Sequence, residues 1–248
     1  MKAIEVTNLS YCYPNGMAAL KEISFSIEEG EKVGLIGPNG AGKSTLLWHL
    51  NGLLPEKPAT TASVHVMGTP VLETNFAKIR AITGMLFQDP DDQLFMPTVH
   101  EDIAFGPQQL GKDRDAIGVI EKRVLAQVGL PGFEVRHTHQ LSQGEKRRIC
   151  VAGVLACDAK VLALDEPTSG LDPRGRRELK VLLLEMPETM LIATHDLEFV
   201  VEVCTRVIVI DRGELVADGL AADILNDEAL MLAHGLERPH ILRHRHPH

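Results

Sequence analysis

Four cysteines in 248 residues form no C-x-x-C pair and none of the spacings of a zinc finger. Such thiols read as reduced and cytosolic, not as a disulfide framework or a structural metal site. No apolar run approaches the ~20 residues that a membrane-spanning helix needs. The longest, such as Val181–Leu184 and Val207–Ile210, are the size of a short strand or helical turn. The start, Met1-Lys2-Ala3-Ile4-Glu5, lacks an apolar signal core, which points away from export. An excess of positive charge is missing as well. The 25 Lys and Arg stand against 34 Asp and Glu, a formal charge of −9 with eleven His neutral. That mild acidity argues against nucleic acid as a partner over the whole surface. What is present is 44% apolar and 24% charged residues, enough for a full core in one large domain with an inserted subdomain.

Strand-like alternation at Lys2–Val6 and Ile23–Ile27 flanks a turn at Pro14-Asn15-Gly16. Lys32–Gly37 reads as a short buried strand, followed by a glycine-rich loop and a helix from Ser44 to about Leu50. Ser63–Met67 and Ala81–Phe87 read as further strands. From Asp89 to about Asp158 the pattern turns to helices and polar loops, as in an inserted helical subdomain. Beyond it, the apolar runs Val161–Leu164, Met190–Ala193 and Val207–Ile210 alternate with helical stretches at Arg174–Glu185 and Asp196–Cys204. This alternation predicts an α/β fold with a buried, mostly parallel sheet covered by helices on both faces. One domain is expected over residues 1–220. A C-terminal helical segment and His-rich tail should occupy residues 221–248.

The run Gly37-Pro38-Asn39-Gly40-Ala41-Gly42-Lys43-Ser44, followed by Thr45, fits G-x-x-x-x-G-K-S/T. Glycines let backbone N–H groups curl toward an anion, and the helix that follows adds its N-terminal partial positive charge. Lys43 would reach the β- and γ-phosphates, and the Ser44 hydroxyl would ligate Mg²⁺. An ordinary glycine turn is the plain alternative, but the loop sits between a strand and a helix, as phosphate binding requires. Lys160–Leu164 then delivers Asp165 and Glu166 from the end of a buried strand. Asp165 can hold the Mg²⁺ shell, and Glu166 can polarise a water for in-line attack on the γ-phosphate.

Leu141-Ser142-Gln143-Gly144-Glu145, ahead of a helix, resembles the signature motif of ABC ATPases. The rest of that family's set follows in order. Gln88 is similar to the Q-loop glutamine, Ser169-Gly170-Leu171-Asp172 to the D-loop and His195 to the switch histidine. Tyr13 resembles the aromatic that stacks on adenine, with Tyr11 a second candidate. The resemblance implies the P-loop NTPase, ABC ATPase fold: a RecA-like core, an antiparallel β subdomain and an inserted helical subdomain. It implies ATP hydrolysis with Mg²⁺ held by Ser44, Gln88 and Asp165, and catalysis by Glu166, His195 and Gln88. It also implies a head-to-tail dimer in which Ser142, Gln143, Gly144 and Glu145 cap the partner's ATP and Asp172 links the two sites. Where the family carries L-S-G-G-Q, this chain has Gln143 and Glu145. Glu145 suits a helix dipole but not a nearby phosphate. The basic run Lys146-Arg147-Arg148 suggests a nearby anion or, equally, a solvated helix face.

Phe87–Phe95 and Thr98–Pro107 look like the ATPase subunits of energy-coupling-factor importers, especially the cobalt/nickel branch. There the segment carrying Asp91, Gln93, Leu94 and Phe95 would dock on a transmembrane coupling subunit, with Leu94 and Phe95 exposed as the apolar contact. A substrate-capture membrane subunit and a second, identical ATPase chain would complete the complex, peripheral at the cytoplasmic face of the membrane. The cargo would be bound elsewhere, so cobalt, nickel and a vitamin stay open, with metals favoured. A soluble, non-transport ABC ATPase is the alternative. In the tail, His244, His246 and His248 alternate, so an extended chain could offer them to Ni²⁺ or Co²⁺. A biased soluble terminus, or attraction of Arg238, Arg243 and Arg245 to anionic lipid, stands beside that reading.

Overall fold

A computed structural model describes residues 1–56 and 60–243, so the predicted metal ligands His244, His246 and His248 lie outside the described residues. The chain opens with β1 (Lys2–Cys12) and β2 (Ala18–Glu28), then β3 (Lys32–Ile36), α1 (Lys43–Leu50), β4 (Val64–Val66) and β5 (Thr69–Pro70). Next come α2 (Phe76–Ile82), β6 (Thr83–Leu86), α3 (Val99–Gln109), α4 (Arg114–Gln127) and α5 (Gln143–Ala156). The second half alternates: β7 (Val161–Asp165), α6 (Pro173–Glu185), β8 (Thr189–Ala193), α7 (Leu197–Val203), β9 (Arg206–Asp211) and β10 (Glu214–Leu220). It ends in α8 (Ala221–Asn226), α9 (Glu228–Ala233) and the short α10 (His240–Arg243).

Two sheets form. One is antiparallel, in the order β2-β1-β4-β5; the other runs β10-β9-β3-β8-β7-β6, all parallel except the β10 edge. Alternate residues of the larger sheet point into two different cores. Leu162, Leu164, Ile192, Val207 and Val209 pack with residues of α5, α6 and α7. Val161, Ala163, Leu191, Ala193, Ile208 and Ile210 pack with α1 and the antiparallel sheet. Each parallel strand is therefore apolar on both faces, which is why its sequence is a continuous greasy run. The parallel arrangement also brings the carboxyl ends of β3, β6, β7 and β8 to one edge, where such sheets bind ligands.

Several sequence-based boundaries shift. Ala81 and Ile82 end helix α2 and do not start a strand; β6 is confined to Thr83–Leu86. The strand expected to reach Gly37 ends at Ile36, and the helix expected from Ser44 starts at Lys43. Strands β1 and β2 run to eleven residues each, well past the alternating pieces. The edge strand β10 was not anticipated, because its residues are half-exposed and carry no clean pattern.

Candidate functional site

Between β3 and α1 the chain makes the phosphate loop. Gly37 enters it at φ 155°, where an added Cβ would sit 1.9 Å from the Ile210 carbonyl oxygen. Gly42 closes it at φ 107° as the cap of α1, a left-handed conformation that leaves the first N–H groups of the helix with no side-chain acceptor. No acidic residue lies in that first turn, so the open N–H groups and the helix dipole face any incoming anion. Gly37→Ala is expected to lower stability by about 3 kcal/mol or more, because the clash is with backbone that cannot turn away. A melting temperature lowered by roughly 6–12 °C checks it; an unchanged melt would show that the loop yields.

Lys43 is buried and folds back over the loop, donating to the carbonyl oxygens of Gly37 at 2.8 Å and Pro38 at 3.0 Å. Burial holds its ammonium below the ordinary lysine pKa, against the pull of Glu166 and Asp165. Asp165, at the end of β7, is 3% exposed. Desolvation pushes its carboxyl above the usual range and the charge of Glu166 adds to this, whereas a hydrogen bond from Ser44 opposes it. A buried carboxylate touching a hydroxyl beside the anion loop is a hard-oxygen donor set that fits a small divalent cation.

Glu166 continues the β7–β8 pairing by one step, with its N–H donating to Ala193 O at 2.8 Å, and then turns at φ 47°. Its carboxylate receives the Thr194 hydroxyl at 2.9 Å and the His195 N–H at 3.0 Å, and the His195 Nδ1 lies 2.9 Å from it. The side chain is thus fixed at the mouth of the site, while the His195 ring stays largely exposed. Such a carboxylate can orient and deprotonate a water. Tyr13 is half-buried and its hydroxyl lies 2.9 Å from that of Thr45 in α1, which anchors the ring beside the loop. Tyr11 is buried under it, edge-on at 4.9 Å, and donates to Glu56 at 2.8 Å. Burial and that bond push its hydroxyl up to about 12, and the Tyr13 ring is the less buried of the two. Asn39 and Gly40 are exposed at the loop's tip, Pro38 is half-buried, and Ala41 is packed beneath it.

Ser142 caps α5 and Glu145 completes a capping box. Glu145 takes the Ser142 N–H and hydroxyl, each at 2.8 Å, and those bonds hold its carboxyl below the usual range. The departure from a signature glutamine is thus explained locally: S-x-x-E is a helix-start pattern that was readable in the sequence. Gln143 and Gly144 follow in the first turn, with Gln143 exposed. Asp172 caps α6 through Gly175 N–H at 2.7 Å. Gln88, exposed just past β6, stands at the same sheet edge as Asp165 and His195.

Beyond Gln88, Asp91 pairs with Lys146 at 2.5 Å. Gln93 points inward and accepts the Phe87 N–H at 3.0 Å, and Leu94 packs on the core. Phe95 is 62% exposed. It rests edge-on against Phe105 at 5.0 Å, with its N–H held by Asp102 at 3.1 Å. The basic run is not a solvated face, and the anions near two of its three cations are the protein's own carboxylates. Lys146 pairs with Asp91, Arg148 with Glu178 at 3.5 Å, and Arg147 is buried against the Phe87 and Gln88 carbonyls. Sequence reasoning also missed Thr194, and it missed Arg176, which forks onto Asp196 at 2.8 and 3.1 Å and ties α6 to the loop of His195. The clue for Arg147 was its spacing with Val151 and Val154 on the inward stripe of α5.

Comparison with known proteins agrees with this geometry. The ABC transporter family model matches residues 20–169. An ABC transporter ATP-binding protein of Gloeobacter violaceus is 50% identical over 242 residues, covering 96% of this chain and 98% of that protein. The energy-coupling factor transporter ATP-binding protein EcfA of Methanothermobacter thermautotrophicus is 45% identical over 241 residues, covering 95% of this chain and 76% of that one. The solved structure of cbiO1 from Clostridium perfringens, part of the ABC transporter complex cbiONQ, superposes with a TM-score of 0.80 at 36% identity over 98% of both chains. With a phosphate loop, a buried Asp165–Glu166 pair and a signature-headed helix on this α/β framework, the chain belongs to the ABC transporter family and is one of its ATP-binding, ATP-hydrolysing subunits.

Proposed function

We propose that this chain is the peripheral ATPase of an energy-coupling-factor importer whose cargo is cobalt or nickel ions, working as a homodimer beside a transmembrane coupling subunit and a substrate-capture subunit. The observation that carries the reading is the segment after Gln88. It starts at the nucleotide edge and ends in the exposed ring of Phe95, braced from behind by Phe105 and Asp102. The names of the relatives, EcfA and a member of a cbiONQ complex, support the transporter class and its metal branch.

ATP lies with its base on Tyr13 and its phosphates in the Gly37–Thr45 loop. Ser44, Asp165 and Gln88 would hold Mg²⁺ there, which would supply neutralisation of the phosphate charge. Glu166, fixed by Thr194 and His195, takes the proton of the attacking water. His195 turns its free face to the γ-phosphate. Ser142 and the N–H groups at Gly144 cap the partner's ATP, so nucleotide binding stabilises the closed dimer. Asp172 meets the partner across the D-loop. Gln88 passes the γ-phosphate state to the docking segment, and closure moves the membrane subunit at the cytoplasmic face.

Phe95→Asp tests the docking surface. A buried aromatic anchor contributes about 2 kcal/mol or more to an interface, so retention by the detergent-solubilised membrane subunits should fall roughly 30-fold. Wild-type retention would sink the docking reading. Vesicle uptake of cobalt or nickel by the assembled complex tests the cargo; uptake of neither removes the metal assignment and leaves the ATPase in place.

A further inference from the structure

We infer that Arg147 is a positioning residue: it clamps the main chain at Phe87 and Gln88 onto the helix that Ser142 heads, so that the glutamine and the signature move as one body. The inference rests on the reading of Gln88 as the residue that faces the γ-phosphate and its cation.

Arg147 is 1% exposed and is the largest fully buried side chain among the described residues. No carboxylate pairs with it there, although Asp165, Asp89 and Glu166 act on it from a distance. A buried, unpaired cation is costly unless strong acceptors surround it. The acceptors here are two main-chain oxygens: Nη1 donates to Phe87 O at 2.5 Å and Nη2 donates to Gln88 O. Both oxygens lie past the last β6–β7 partners, Leu86 and Leu164, where the ladder has ended. The guanidinium therefore takes the place of the next strand rung, with charge-assisted bonds that are shorter and stronger than neutral ones.

Three further ties join the same segment to the same helix. Lys146 pairs with Asp91 at 2.5 Å, Gln93 Nε2 reaches Cys150 O at 3.5 Å, and the Cys150 thiol faces Pro90 O at 3.9 Å. The outer pair is more than half exposed on its acid and contributes little; Gln93 and Cys150 make long, weak bonds. Arg147 alone is dry and doubly bonded. It stands five residues from Ser142, so a shift of Gln88 toward phosphate pulls on the helix whose first turn caps the partner's nucleotide. Since both hydrogen bonds of Arg147 among the described residues go to backbone oxygen, it acts through Gln88 and not on ATP.

The test compares Arg147→Met, Arg147→Gln and Arg147→Lys in the full chain. Loss of a fixed Gln88 should lower kcat roughly 10- to 100-fold in Arg147→Met. KM for ATP should change by less than about twofold, because Lys43, Ser44 and Tyr13 still bind it. Arg147→Lys, which can reach one carbonyl, should recover part of kcat. Arg147→Gln should fall between them and keeps a donor if the methionine variant folds poorly. Amide exchange in nucleotide-free protein should quicken over Phe87–Leu94 and stay unchanged over Lys43–Leu50. Wild-type kcat in both Arg147→Gln and Arg147→Met overturns the clamp. So does unaltered exchange over Phe87–Leu94, or a loss of KM, kcat and folded fraction in parallel with no rescue by lysine. Gln88→Ala separates the two layers: wild-type turnover in that variant removes the underlying role of Gln88, while the exchange measurement still decides whether Arg147 holds the segment.

Discussion

Glu166→Gln should bind ATP as the wild type does and hydrolyse it about 10²- to 10⁴-fold more slowly, the range lost when a positioned general base is removed. The substitution keeps the shape of the side chain. It leaves the phosphate loop, Lys43 and the Tyr13–Thr45 contact untouched, so nothing that holds the nucleotide changes. What changes is the acceptor. One carboxylate oxygen now takes the Thr194 hydroxyl and the other the His195 N–H, and an amide can offer an acceptor on one side only. The variant therefore lacks a group able to take the proton of the attacking water. With ATP uncleaved, the ligand that joins two chains persists, and the closed dimer accumulates. Fluorescent-nucleotide titration, steady-state hydrolysis and size-exclusion chromatography with ATP measure the three parts. Near-wild-type hydrolysis would show that Glu166 is not the base.

Legibility in the sequence followed how local the physics was. The phosphate loop could be read because Gly37, Gly42 and Lys43 act within a few residues of one another. Asp165 and His195 could be read because the first ends, and the second lies two residues past, a five-residue strand that is buried throughout. The antiparallel sheet was only half legible. The β1–β2 register shifts between Val6 and Leu9 and again between Leu9 and Tyr11, with Asn8 at φ 48°, so the two-residue alternation breaks after Val6. Helix α2 buries only Ile79, too little to impose a helical period against the apolar run that continues into β6. The basic run of α5 was the hardest case. Three adjacent cations look alike in one dimension, but a 100° step per residue sends Lys146 to the rim, Arg147 inward and Arg148 toward Glu178.

Asp165 sets stability against function in the opposite direction. Its folded carboxyl lies above its ordinary value, chiefly because burial disfavours the charge and next because Glu166 repels it. The folded state thus holds this proton more tightly than the unfolded chain does. The contribution is favourable below the unfolded carboxyl range and is lost as pH rises through the folded value, so at pH 7 the ionised group strains the empty site. Asp165→Asn removes that charge and keeps a partner for the Ser44 hydroxyl. Nucleotide-free Asp165→Asn should therefore melt higher than wild type at pH 7, by about 2–4 °C for each kcal/mol recovered. The gap should close as pH falls toward the carboxylate range. Turnover should move the other way, falling about 10²-fold or more, since in the proposed mechanism the charge that burdens the empty protein would also hold the divalent cation against the phosphates. Thermal melts at two pH values and hydrolysis across a Mg²⁺ titration measure both arms. A lower melting temperature at pH 7 would show that the Ser44 hydrogen bond and the charges of Lys43 and Arg147, not desolvation, dominate at this carboxylate. If the variant instead melts higher and hydrolyses slowly, the same buried charge accounts for both effects, and the instability of the empty site is the counterpart of its grip on the loaded one.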